Sequence, residues 1–585
     1  MRVHPLGVRP WIRLTICATV VLALAGTLAG ATAWCWTQAA RMLWLHAPMA
    51  LAPSDAARAT WHLLAHGGWS DPARAFPTAA ERQRVPSAGA YAAVAALAVT
   101  LGARGVWAVR VRVSRLQARS PLASEQRSLA RLALQRGWVT TRTWARPRDL
   151  RRLWVRQPVP GRPYLGIAGR LPPRMLAAEP EIQPMVIAPP RAGKSSGFVV
   201  PWLLDHDGPA LVLSTKRDIQ QASIHRRRAL GETWLYDPFG DEHSAVFTPL
   251  VPASSWAGAI RTGEALASAA HPDQANAANE FWDKEAASML APLLHAAALK
   301  DTGMGALLGW LDARDLDEPL QTLNAAGASA AADQLQGVGR RDERNRETTV
   351  MSALNLLRAY RHPQLTHGGE ATLTPERFLN GRANTIYVVA AGHDQELLRP
   401  VILALLTAIY QAAILQARRD GPLQPRLLIL MDEAANIAPV RNLASWLSQC
   451  GDHGIVIATI WQSIAQIDQR YGRAARDAIC AACTAQLFIP PLAEPTSTGY
   501  LSELIGQEPV ANTTRNGATQ SLAIAHQRAA PAPWLRQIPR GRAILIYREL
   551  APAVVRAPGW FEDPRFARYR HELTATGQAH PGTRT

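Results

Sequence analysis

Lysine is nearly missing from this chain. Only Lys194, Lys216, Lys284 and Lys300 stand among 585 residues, although Lys and Arg together number 63 and the formal net charge is +18. Arginine therefore carries the basic character, as a GC-rich coding bias would write it. The charge still acts, because a basic surface attracts nucleic acid or anionic lipid whatever its origin. Cysteine is scarce too, at Cys17, Cys35, Cys450, Cys480 and Cys483. That scatter excludes a disulfide framework and suits a reducing compartment. Cys480 and Cys483 form a lone C-x-x-C without a second half or neighbouring histidines, which argues against zinc and redox chemistry. Charged residues are only 18% against 48% apolar, which excludes a disordered chain and leaves room for membrane contact. Zinc-protease chemistry is excluded as well, since "HELTA" at His571 lacks the second histidine of a zinc helix.

Long uncharged runs, by contrast, are present at the start. Residues 14–36, "LTICATVVLALAGTLAGATAWCW", hold no charge over 23 positions, enough to cross about 30 Å of hydrocarbon as a helix. The competing reading is a signal peptide with "GATAW" as a weak cleavage site. A second apolar run at residues 88–103 favours an uncleaved anchor, extended through "GVWAVRV" with Arg104 snorkelling. Arg2, Arg9 and Arg13 precede the first run; Arg110, Arg112, Arg115 and Arg119 follow the second. The positive-inside rule then places both ends in the cytoplasm. Residues 1–115 read as a multi-pass hairpin anchor in the cell membrane, with the bulk of the protein cytoplasmic.

Residues 116–180 read as a linker, rich in Pro, Arg and Gly towards its end. Apolar runs bounded by turn residues follow at 185–188, 210–214, 385–391, 426–431, 454–460, 486–489 and 543–547. They carry the pattern of buried parallel strands separated by helices, an α/β doubly wound sheet. Between residues 251 and 382 the chain is Ala/Leu-rich with helical periodicity and no strand signal, so an all-α domain is inserted in a core made of 181–250 and 383–565. Residues 566–585 read as a disordered tail.

The chemistry begins at residues 188–201, "APPRAGKSSGFVVP". A phosphate loop needs a strand, backbone amides curled around the anion, and a helix N-terminus aimed at it. Residues 185–187 supply the strand, 188–195 the loop and 196–204 the helix. Ala188 stands where the pattern G-x-x-x-x-G-K-[ST] has its first glycine; at a position wanting φ > 0, alanine costs about 1 kcal/mol. The half that binds anions is intact: Arg191, Ala192, Gly193, Lys194, Ser195 and Ser196. Lys194 suits the β- and γ-phosphates of ATP, and Ser195 suits Mg²⁺. A fortuitous Gly-Lys-Ser turn is the bland alternative, and lysine scarcity argues against it.

A second site element is "RLLILMDEAANIAP", an apolar strand ending in Asp432 and Glu433, with Asp432 238 residues beyond Lys194. Acids at a buried strand end are costly unless a cation or water uses them. Asp432 suits the Mg²⁺ shell and Glu433 the attacking water. The strand "GIVIATIWQS" ends in Gln462, placed to sense the γ-phosphate or its water. "STKRD", with Lys216, closes another strand and reads equally as ligand contact or loop chemistry. "GRRDERNRETT" offers Arg340, Arg341 and Arg344, either a solvated helix face or a DNA or trans-acting contact. Trp282 and Lys284 in "EFWDKEAASMLAPLL" fit the start of a core helix better than a stacking platform.

Taken in order, "APPRAGKSSGFVVPWLL", "LVLSTKRDI", "LYDPFG", "FWDKEAASMLAPLLHAAAL", "DERNRETTVMSALNLL", "LILMDEAANIAP" and "IATIWQSIAQIDQRYG" resemble the motifs of type IV coupling proteins, the TraG-like conjugation ATPases. The resemblance covers about residues 180–565. It implies a RecA-like P-loop NTPase core, an inserted all-α domain, a membrane anchor and a ring of six copies. It implies ATP and Mg²⁺ as cofactors, Lys194, Glu433 and Gln462 as catalytic residues, and Ser195 and Asp432 as metal ligands. Its implied partners are single-stranded DNA with its bound relaxase, the type IV secretion channel and the membrane. Two other readings stay open: a nucleotide-dependent docking receptor with little turnover, and an FtsK-like translocase of double-stranded DNA.

Overall fold

The computed structural model describes residues 143–169, 173–269, 277–366, 372–516 and 519–570. The expected anchor runs at 14–36 and 88–103, and residues 571–585 of the expected tail, lie outside the described residues. Among the described residues one helix, Gln395–Asp420, is long and apolar enough to cross a membrane, but 72% of its apolar window is buried inside the protein. It is a core helix, with Val401, Ile402, Leu405 and Ile409 buried in the hydrophobic core.

The strands in chain order are β1 (Trp154–Val155), β2 (Tyr164–Ala168), β3 (Arg174–Ala177), β4 (Pro184–Ile187), β5 (Ala210–Ser214), β6 (Thr233–Tyr236), β7 (Thr385–Val389), β8 (Leu427–Asp432), β9 (Ile455–Trp461), β10 (Ala485–Phe488), β11 (Gln507–Asn516), β12 (Thr519–Arg528), β13 (Arg542–Tyr547) and β14 (Leu550–Arg556). Twelve form one sheet in the order β1-β3-β2-β14-β13-β10-β4-β9-β8-β5-β7-β6. From β10 to β6 every pairing is parallel, with Val186 opposite Ile460, Ala458 opposite Leu430, and Leu430 opposite Val212.

Successive strand side chains point to opposite faces, and both faces are apolar here. Met185, Ile187, Leu211, Leu213, Ile429 and Met431 join the core on one side, while Val186, Val212, Leu428, Leu430 and Ile460 join the core on the other. That two-sided burial is why these segments read as unbroken apolar runs.

Two expectations need correcting, and one element went unread. Residues 543–547 belong to a strand that is antiparallel to both neighbours, because only Arg548 and Glu549 separate β13 from β14 and a parallel return needs a crossover. The antiparallel part of the sheet is also covered on both faces, so its apolar run looks parallel. The stretch expected as a linker contributes β1, β2 and β3 to the sheet; their short, Arg- and Gly-broken sequences carry no periodic signal. The pair β11–β12 is a separate hairpin, and its Asn516-Gly517 turn signal was available to find it.

Between β6 and β7 the described residues hold no strand. The helices Trp256–Ser268, Ala277–Lys300, Gly303–Ala313, Asp317–Ala325, Ser329–Gly339 and Glu343–Leu356 fill that interval. Ser255 caps the first, accepting from the Gly258 amide at 3.1 Å, and Asp342 caps the last, accepting from Asn345 at 3.0 Å. Leu290, Leu293 and Leu294 bury the long helix Ala277–Lys300 in the core. Gly263 lets the neighbouring helix close on it, since a Cβ there would stand 3.2 Å from the Ala287 carbonyl oxygen.

Candidate nucleotide site

β4 delivers the chain to the loop. Ala188 continues the strand: its amide donates to the Trp461 carbonyl at 2.9 Å, and its side chain is fully buried. It is not among the residues with positive φ. The expected strain at Ala188 is therefore absent, and the left-handed conformations fall later, at Arg191 (φ 61) and Gly193 (φ 89). Arg191 carries strain of about 1–2 kcal/mol for a residue with a Cβ. Gly193 meets only the Ser196 hydroxyl, 3.6 Å from where a Cβ would be, so glycine is required there by conformation and leaves open room. Pro189 accepts from the Ala192 amide at 3.2 Å and Gly193 from the Gly197 amide at 2.8 Å, which closes the loop.

The helix after the loop opens as a π turn, Ser195–Val199, and continues as Val200–Asp205. The first turn of a helix leaves its amides without internal partners, and here those belong to Lys194, Ser195 and Ser196. Lys194 itself is largely buried. Its ammonium lies 3.1 Å from Asp432 and 3.6 Å from Glu433. The two acids end β8, two places from β4 in the sheet, with β9 between. Glu433 adopts φ 64, ψ 51, which turns the chain out of the strand at a cost of about 1–2 kcal/mol. Burial pushes the Asp432 carboxyl up from its ordinary range; the Lys194 charge opposes this, while Glu433 and Asp218 add to it. Gln462, just past β9, donates from its amide to Glu433 at 3.3 Å.

The other expected residues divide. Lys216 is exposed; its neighbour Arg217 does the structural work, donating to Asp237 and to Asp241 at 3.1 Å and so tying β5 to the turn after β6. Arg340 donates to Gln336 at 2.8 Å, Arg341 pairs with Glu285, and Arg344 is exposed. These arginines lie in the helical region and make no described contact with Lys194, Asp432 or Glu433. Trp282 is half-buried beside an exposed Phe281, while Asp283 between them and Lys284 is buried and pairs with Arg441, just beyond the two acids. Sequence reading missed that link, because a charged pair 158 residues apart leaves no local signal. Cys480 and Cys483 are buried free thiols, and burial pushes both up. No group of three potential metal-ligating side chains gathers among the described residues.

A strand leading into an amide-lined loop and helix, with a lysine set against acids from a strand two places away, can hold a phosphate chain and a divalent cation. Mg²⁺ commonly takes one or two protein carboxylates and completes its shell with phosphates and water, so one carboxylate and one hydroxyl suffice. These features define the phosphate-loop class of α/β proteins. Residues 175–581 match the profile of the family described as type IV secretory system conjugative DNA transfer, and the chain belongs to that family.

Among individual relatives, a conjugal transfer protein TraG of Escherichia coli is 24% identical over 364 residues, 56% of this chain and 55% of that protein. A second protein of the same name and organism is 24% identical over 360 residues, 55% and 54% of the respective chains. This chain thus spans about half the length of the relatives it matches. Among solved structures, the unbound bacterial conjugative coupling protein TrwB superposes with a TM-score of 0.55 at 15% identity, covering 71% of this chain and 92% of that one. TrwB in complex with the ATP analogue ADPNP gives 0.53 at 14%, with the same coverage of 71% and 92%. TrwB with ADP and Mg²⁺ gives 0.51 at 16%, covering 64% and 84%. The likeness to these structures is one of fold, and it lies in the large parallel sheet.

Proposed function

We propose that this protein is a membrane-anchored ATPase that delivers DNA, as a single strand bound to its relaxase, to a type IV secretion channel. The observation that carries the proposal is the convergence of Lys194, Asp432, Glu433 and Gln462 beside the phosphate loop, in a chain of a conjugative transfer family. The division into an N-terminal hairpin anchor, a motor core (181–250 and 383–565) and an inserted all-α domain (251–382) belongs to the same proposal, as does assembly into a hexameric ring.

The amides from Arg191 to Ser196 would hold the phosphate chain, with Lys194 at its β- and γ-groups. Ser195 and Asp432 would hold Mg²⁺. ATP, when bound, supplies the free energy of its terminal phosphoanhydride. Glu433 would accept the hydrogen bond of the attacking water and orient it, and Gln462 would hold Glu433 in place through their 3.3 Å contact. Lys194 keeps its charge balanced against the two carboxylates, so the ammonium is positioned in advance. DNA would be held through its phosphates by exposed cations such as Lys216, Arg340 and Arg344, without reading bases. Affinity should then fall steeply with added salt.

The deciding measurement is ATP hydrolysis by the purified protein with and without single-stranded DNA, alongside Lys194→Ala. The expected outcome is DNA-stimulated turnover that falls by two orders of magnitude or more in the variant, an estimate from the loss of a charge that acts on the transferring phosphoryl group. Turnover that no DNA raises, together with normal plasmid transfer by Lys194→Ala, refutes the motor.

A further inference from the structure

The acids at the end of β8 lead into a stiff segment. Glu433 turns the chain, and its carbonyl accepts from the amides of Asn436 and Ile437 at 2.9 and 3.3 Å. Beyond the short helix Ala434–Ile437, the Val440 amide donates to the Ala438 carbonyl at 2.9 Å and the Leu443 amide to the Val440 carbonyl at 3.2 Å. Ala434, Ala435, Ile437, Ala438 and Val440 are buried in the core that also holds Leu290 and Leu293 of the long helix Ala277–Lys300. At the end of the segment Arg441 pairs with Asp283, in the second turn of that helix. The Asp283 side chain is only 2% exposed and that of Arg441 31%. A carboxylate buried so deeply is costly without a cation, so the pair fixes where the segment meets the helix. The Glu433 side chain is held as well: Gln462 donates to one carboxylate oxygen at 3.3 Å and Asn436 to the other at 3.5 Å.

The same helix is gripped from another direction. Glu285 pairs with Arg341, and the Ser288 carbonyl accepts from the Gln334 side chain at 2.8 Å. Gln334 lies on the helix Ser329–Gly339 and Arg341 in the turn after it; Arg340 in that turn and Arg344 at the start of the next helix are exposed. Two positions along a helix rotate the side chain by about 200°, so Asp283 and Glu285 leave opposite sides of the helix. It is a rod held by the segment after β8 on one side and by the arginine-bearing turn on the other. A terminal phosphate at Lys194 competes with Glu433 for the same ammonium, 3.6 Å away, so the charge balance at Glu433 changes as phosphate arrives and leaves. We propose that Asp283 and Arg441 are positioning residues that link turnover at Glu433 to DNA on the helical region. The inference rests on the motor reading above and names the route of its regulation. DNA phosphates drawn to Arg340 and Arg344 displace Arg341 between them, and the rod carries that displacement to Arg441 and the stiff segment. Coupling of this kind needs packed elements that shift as units, and an ion pair on each side of the rod supplies the grip.

The test compares ATP turnover by the full-length, detergent-solubilised protein with and without a single-stranded oligonucleotide, alongside ADP calorimetry and fluorescence anisotropy of the labelled oligonucleotide. Asp283→Asn and Arg441→Gln should each bring the ratio of turnover with DNA to turnover without it close to unity. Affinities for ADP and for the oligonucleotide should stay within about twofold, which also shows that the variants fold. The double variant Asp283→Asn/Arg441→Gln strands no charge, and it should lose stimulation no further than either single change. Arg341→Gln should lower the ratio by loosening the other side of the rod, while Arg441→Lys, which keeps the charge, should preserve it. A double variant that responds to DNA as the wild type does overturns the link while leaving the motor standing. So does a loss of ADP or oligonucleotide affinity in step with the ratio, because the pair is then scaffold alone. Wild-type turnover that no DNA raises overturns the motor reading and this link together.

Discussion

Restoring the glycine that the phosphate-loop pattern calls for at position 188 should weaken this protein. Ala188 is fully buried, its amide extends the β4–β9 pairing at 2.9 Å, and its φ is not positive. Glycine in such an extended position loses more backbone entropy on folding, about 0.5–1 kcal/mol. Removing a buried methyl group costs a further ~0.8 kcal/mol. Ala188→Gly should therefore destabilise the fold by roughly 1–2 kcal/mol, a fall in Tm of the order of 2 °C in a domain this large. Differential scanning calorimetry of the purified chain reads the first quantity, and ADP titration reads whether the loop has gained anything. Affinity should be unchanged within about twofold, because the conformations that shape the loop belong to Arg191 and Gly193. A variant that is both more stable and tighter in binding would mean that Ala188 strains the loop after all.

Two further substitutions test the scaffold. Arg227 is fully buried, and it donates to Thr385 at 2.7 Å, to the carbonyls of His206 and Gly208 at 2.6 Å, and to that of Ala383 at 3.0 Å. Burial and Arg226 lower its pKa to about 10, so it stays charged at neutral pH. Arg227→Met strands those acceptors and should cost about 3 kcal/mol after the relief of burying a charge is counted; an unchanged Tm refutes the clamp. Asp205 supplies a pH test: burial raises its carboxyl from 3.8 to about 6 even though Arg565 pulls it down. The folded state then holds a proton that the unfolded chain has released, so this group's contribution is fully present below about pH 4 and is lost as the pH rises through about 6. Relative to Asp205→Asn, wild-type stability should fall by on the order of 2–3 kcal/mol between pH 4.5 and 7.5, measured by urea unfolding. A flat difference refutes the raised value.

Much of the site was legible because each of its parts is local. "RAGKSS" specifies its own strand-to-helix loop, and "LILMDE" places acids at a buried strand end. The apolar runs of β4, β5, β7, β8 and β9 announced strands buried on both faces, since parallel pairing under helices leaves no polar side. β13 carried the same signal and pairs the other way, because burial writes the pattern and direction does not. β1 to β3 were illegible, as Gly166 and Arg174 interrupt their apolar runs and their neighbours in the sheet hold them more than their own composition does.

By itself the sequence determined what each local segment can do: the phosphate loop, the acid-ended strand, the glutamine after β9 and the long helical interval. Those are properties of a few adjacent residues, fixed by backbone preference and hydrophobic period. Only the tertiary structure decided which segments meet. It set Lys194 between Asp432 and Glu433 across an intervening strand, and it freed Ala188 from strain by hydrogen-bonding it to Trp461. It also carried Trp560 back to Ser196, more than three hundred positions away along the chain. Contacts of that range are selected by the packing of whole elements, since no single residue has the energy to specify its distant partner.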